Sequence, residues 1–176
     1  MKKQFKLIIP IVMIIIVVSL IFAFFFVMQT LKTPVEIIDG IYYDMSPASL
    51  KKVLGEPQSI TDNMELFSET VYYYTVDLDG IPTQMGFTFH DGKKLIAVYA
   101  SVTVESPTDA GQIFEHWQSK LYAAYQDEKG FYCDEKPKTS NMDYEVELGT
   151  HHGATGVYCT ISVEESVVRL TCINMK

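Results

Sequence analysis

The side chains able to do covalent or metal chemistry in this 176-residue chain are few: three cysteines and four histidines. Cys133 sits in Cys133-Asp134-Glu135-Lys136, where acidic neighbours raise a thiol's pKa and disfavour the thiolate that a nucleophile needs. His151 and His152 could serve it as bases, but they occupy Gly149-Thr150-His151-His152-Gly153, which reads as a hairpin loop. A metal could be sought at His151, His152 and Glu147. Adjacent histidines on a strand point to opposite faces, however, and no further ligand stands at a motif's spacing. His90 flanks a turn and His116 lies beside an apolar helical stripe, so both read as solvated. The acidic residues scatter over turns and helix faces without forming a pair for acid–base work. Phosphate loop, nucleophile elbow and dinucleotide fingerprint are all missing from the sequence. The residues therefore predict a protein that is not an enzyme, with no catalytic residue, no metal and no cofactor.

Cys159 and Cys172 have a different prospect. They fall in two strand-like runs, Gly156–Val163 and Val167–Met175. A four-residue loop, Glu164–Val167, pairs Val163 with Val168, Ile161 with Leu170, and Cys159 with Cys172 on the core face. The two could form a cross-strand disulfide, with tight geometry, or stand as two buried inert thiols. Cys133 is then the odd cysteine.

The elements that must position these groups follow from patterning. Ser46 caps a short helix, Pro47 suits its first turn, and Leu50, Val53 and Leu54 form its apolar stripe. Gly55 is its left-handed stop, with Pro57 beyond. Asp79-Gly80 and Asp91-Gly92 are two-residue hairpin signals. The first sets Tyr74 opposite Met85 and Tyr72 opposite Phe87. The second sets His90 opposite Lys93, Phe87 opposite Ile96 and Met85 opposite Val98. One face then collects Tyr72, Tyr74, Val76, Met85, Phe87, Phe89, Ile96, Val98, Ala100 and Val102 as core. The other carries Tyr73, Thr75, Gln84, Gly86, Thr88, Leu95, Ala97 and Tyr99. A second helix begins at Ser106-Pro107-Thr108-Asp109 and presents Ile113, Phe114, Trp117, Leu121, Ala124 and Tyr125 at helical spacing, with Gly130 after it. Strands are also expected at Tyr144–Leu148. The two Ser-Pro openings, sixty residues apart, suggest tandem helix-plus-strands units at 37–104 and 105–176.

Ahead of this lies Leu7–Met28, twenty-two uncharged residues. At ~1.5 Å each they would reach ~33 Å as a helix, enough for a hydrocarbon core of ~30 Å. The expectation is an uncleaved signal anchor: 1–6 cytoplasmic, 7–28 transmembrane, 29–36 a linker, and 37–176 an extracytoplasmic domain. The positive-inside bias of Lys2, Lys3 and Lys6 sets that orientation, and the predicted location is the plasma membrane. The fold class is thus α+β: an N-terminal transmembrane helix followed by an antiparallel sheet domain with two helices. The net charge of −8 makes nucleic acid and anionic lipid surfaces poor partners.

The segment Met45-Ser46-Pro47-Ala48-Ser49-Leu50-Lys51-Lys52-Val53-Leu54-Gly55-Glu56-Pro57 resembles the helix-then-Leu-Gly-x-Pro opening of the BamE (SmpA/OmlA) and β-lactamase-inhibitor-like superfamily. The resemblance covers these thirteen residues and an element order compatible to about Val104. It implies a small α+β domain with helices on one face of an antiparallel sheet, sometimes in tandem. It also implies non-catalytic protein binding in the cell envelope, often through the exposed sheet face. The chain departs from the envelope lipoproteins in having no lipid-attachment cysteine. On this reading another envelope protein is the partner, met by Tyr73, Gln84, Thr88 and Tyr99. The alternative is an inhibitor or immunity-type protein that blocks a hydrolase or toxin.

Overall fold

The computed structural model describes residues 14–21, 35, 37–63, 68–136, 144–150, 156–164 and 166–175. The chain divides into two units, Met1–Thr33 and Pro34–Lys176. In the first, residues 14–21 form a helix, α1, with exposed apolar side chains. Among the described residues no helix is long and apolar enough to cross a membrane. This corrects the expected spanning helix at Leu7–Met28, and with it the plasma-membrane location and the outward-facing orientation. The rest of that run lies outside the described residues. Apolarity reports a preference for transfer from water, which by itself sets no secondary structure.

The second unit contains α2 (Pro47–Leu54), β1 (Ser59–Asn63), β2 (Glu69–Leu78), β3 (Ile81–His90), β4 (Lys94–Thr103), α3 (Pro107–Tyr125), β5 (Phe131–Lys136), β6 (Tyr144–Thr150), β7 (Val157–Glu164) and β8 (Val167–Asn174). All eight strands form one antiparallel sheet in the order β1-β2-β3-β4-β8-β7-β6-β5. A helix followed by a four-strand meander thus occurs twice, and the meanders join through their last strands, β4 and β8. The expected architecture is corrected accordingly. One continuous eight-stranded antiparallel sheet with three short helices stands where a spanning helix followed by a sheet domain was expected, and 37–104 and 105–176, expected as sub-repeats of one domain, lie in one compact unit. That unit already includes Val35, which is buried and donates its N–H to Ile41 O at 2.9 Å, so core packing begins within the expected 29–36 linker.

The helix ends form for local reasons. Ser46 Oγ accepts from the Ser49 N–H at 3.2 Å, and Gly55 turns the chain at φ 83°. Ser106 Oγ accepts from the Asp109 N–H at 3.2 Å, with the Asp109 carboxylate in the first turn where the helix dipole favours it. Ala110, Ile113, Trp117, Leu121 and Tyr125 are the buried stripe of α3, which lies on β6, β7 and β8. Each large apolar side chain so buried contributes on the order of 2 kcal/mol.

The Asp79-Gly80 turn holds both residues at positive φ and gives Tyr74↔Met85 and Tyr72↔Phe87, as the alternation predicts. The next hairpin departs from expectation. Phe87 pairs with Val98 and Met85 with Ala100, two residues beyond expectation: the turn closes on His90↔Lys94, one residue wider, and the register shifts once more between Thr88 and Phe89. Each one-residue shift changes side-chain parity. Leu95, expected on the outer face, is therefore opposite Phe89 and buried in the core, while Ile96 is only partly buried. The last hairpin closes on Glu164↔Val167 and sets Cys159 opposite Cys172. Both are buried, and neither is in a disulfide.

Candidate functional site

Helices α2 and α3 supply Leu50 and Trp117 to the core on one side of the sheet, and the other side is the candidate site. A single register row crosses that side through every strand: Ser59, Tyr73, Gly86, Tyr99, Thr171, Thr160, Glu147 and Asp134. A second row runs parallel to it two residues along the strands: Thr75, Gln84, Ser101, Arg169, Ser162 and Glu145. The β1–β4 half is neutral and aromatic in these rows, whereas the β5–β7 half carries Asp134, Glu145 and Glu147.

Tyr73 and Tyr99, 42% and 41% exposed, stand on either side of Gly86. A β-carbon at Gly86 would stand 3.4 Å from Cε1 of Tyr73, so the tyrosine ring leans toward the glycine and a larger residue would push it away. The result is a groove of about 230 Å³ with Gly86 at its floor, bordered by Gln58, Gln84, Ser101, Thr171 and Arg169. Gln58 is tied down: its N–H donates to Tyr73 O at 2.8 Å and its side-chain Nε2 donates to Thr75 Oγ1 at 3.0 Å. Arg169 is half exposed and donates through Nη1 to Glu164 Oε2 at 2.8 Å. On the far half Tyr158 donates its hydroxyl to Glu147 Oε1 at 2.7 Å.

The predicted face residues are therefore partly brought together. Tyr73, Gln84 and Tyr99 border one groove. Thr88 belongs to the same face but is only 2% exposed, between Val71 and Ala97 in its register row, and is corrected from a contact residue to a covered one. Arg169, Ser101 and Thr171 were missed. Ser101 enters through the β3–β4 register, opposite Gln84, whereas Arg169 and Thr171 enter only because β8 pairs with β4, a contact between residues about seventy positions apart that no local pattern announces.

The chemistry-bearing residues lie elsewhere. Cys133 is on edge strand β5, where burial first, then Glu135 and Asp134, pushes its thiol pKa up. His151 and His152 fall outside the described residues, and among the described residues no group of three or more metal-ligating side chains converges. His116 is not merely solvated: its Nε2 lies 2.8 Å from Asp79 Oδ2, which also takes a bond from Lys120 Nζ. Those two bonds, Lys120's first, hold the Asp79 carboxyl below the usual carboxylate range. The cluster joins the β2–β3 turn to α3.

Comparison of the chain with family models, curated proteins and solved structures gives no match.

Proposed function

We propose that this chain is a non-catalytic protein-binding domain that meets its partner with the helix-free side of the sheet, centred on Tyr73, Gln84 and Tyr99. The observation that carries this reading is the pair of half-exposed tyrosines flanking Gly86 on a face shared by all eight strands. Tyrosines supply large contact area at low entropy cost, and a pocket between them is the form that binding hot spots take. The groove is bordered by phenols, amides, hydroxyls and one guanidinium, with no thiol, imidazole or carboxylate among them, which suits recognition better than catalysis. The resemblance of Met45–Pro57 to the BamE and β-lactamase-inhibitor-like opening points the same way.

The test is the double substitution Tyr73→Ala with Tyr99→Ala. Both side chains are half exposed, so the variant should keep its fold, checked by its urea midpoint. Proteins recovered by cross-linking to the parent should be lost from the variant. A folded variant that retains every one of them would refute the reading.

A further inference from the structure

We infer that the groove over Gly86 accepts an aromatic side chain of the partner protein whose sequence neighbour is an aspartate or glutamate, the carboxylate going to Arg169. This rests on the docking reading above and specifies what the face recognises.

Three observations carry it. First, Tyr73 and Tyr99 are two strands apart, so their backbones are ~9.6 Å from each other, and the residue between them is a glycine. Aromatic pairs prefer ring centroids ~4.5–7 Å apart, so one planar ring entering between Tyr99 and the Tyr73 ring that leans over Gly86 can contact both tyrosines. Second, the cation that borders this groove is Arg169. It stands diagonally from Tyr99 across the β4–β8 pair, at a separation of ~7–8 Å, within the reach of a residue adjacent to the inserted ring. Its bond to Glu164 uses Nη1, and a guanidinium has five N–H donors in a fixed fork, so the existing ion pair does not exhaust it. Third, the acidic half of the face does not oppose an acid at this point. Glu145, in the row of Arg169, lies two strands from it, ~9.6 Å, and Glu147 lies three strands from Tyr99, ~14 Å, both beyond the ~8 Å Debye length at physiological salt.

The probes are four capped peptides, acetyl-Gly-X-Z-Gly-amide, with X-Z as Trp-Glu, Trp-Gln, Ala-Glu and Trp-Lys, titrated into the full chain and followed by amide chemical shifts. The Trp-Glu peptide should shift the Gly86, Tyr99, Ser101 and Thr171 amides and bind about fivefold tighter than Trp-Gln. That advantage should vanish in Arg169→Gln, an exposed position where loss of fold is not expected, and grow in Glu164→Gln, which releases the competing carboxylate. Ala-Glu and Trp-Lys should bind more weakly than Trp-Glu. Equal binding of Trp-Glu and Trp-Gln, equal binding of Ala-Glu, or shifts confined to other strands would overturn the inference. If the peptides fail while Tyr73→Ala with Tyr99→Ala still loses its partners, the docking face stands and the acid-flanked ring is wrong. If the peptides bind but the double variant keeps its partners, a partner protein is not the occupant.

Discussion

Asp79 reaches out of the β2–β3 turn to the ring of His116 on α3, with Oδ2 and Nε2 2.8 Å apart across thirty-seven positions of sequence. Lys120, one helical turn further, bonds the same oxygen. A turn read from the sequence as a local reversal is therefore also a tether for the helix.

This tether should be visible as pH-dependent stability. The folded Asp79 carboxyl is held below its ordinary value, so its contribution is present above the usual carboxylate range and is lost as pH falls through the folded value. Asn accepts the positive φ of position 79 as readily as Asp, so Asp79→Asn isolates the charge. Because the group is nearly half exposed, the loss at neutral pH should be no more than about 1 kcal/mol. Urea midpoints of parent and variant should converge in acid and in molar salt; a constant difference across pH would disprove the tether.

Thr88 buries a hydroxyl with no hydrogen-bond partner among the described residues. Such a group costs about 1–3 kcal/mol. Thr88→Val keeps a β-branched side chain in the strand and removes the oxygen, so the unfolding free energy should rise by roughly 1 kcal/mol. A lower urea midpoint would show that the hydroxyl has a partner.

Two glycines should respond oppositely to alanine. A β-carbon at Gly149 would run into the Val157 carbonyl oxygen of the neighbouring strand, so Gly149→Ala should destabilise by about 2 kcal/mol. Gly111, inside α3, has nothing within 4 Å of the same position, and Gly111→Ala should stabilise by about 0.5–1 kcal/mol. Thermal melts of the two variants read both signs.

In the folded protein Cys133 alone of the three thiols should react with iodoacetamide, since Cys159 and Cys172 are buried. The reaction should be slower than that of an unfolded-chain cysteine at pH 8, because the raised pKa leaves less thiolate. Glu135→Gln should speed it, as the carboxylate is one cause of the shift. Labelling sites found by mass spectrometry, with rates over pH 7–10, check both statements.

The sequence by itself determined what short-range rules govern. Ser46 and Ser106 cap helices, Asp79-Gly80 makes a turn that sets Tyr74 against Met85, and alternation in the last hairpin sets Cys159 against Cys172. Each depends on residues near in sequence, where capping geometry and the two-residue strand period leave few choices. The span expected at Leu7–Met28 is not met by any helix among the described residues, since apolarity reports only a transfer preference. The sequence also misplaced Leu95 and Ile96, because a turn one residue wider and a bulge each shift parity without marking the composition. Only the tertiary structure decided that β4 pairs with β8, joining two meanders into one sheet. That pairing brings Arg169 beside Tyr73, Gly86 and Tyr99. Edge-to-edge pairing is made by backbone groups common to every residue, so its choice of partner strand is written in the packing of the whole core.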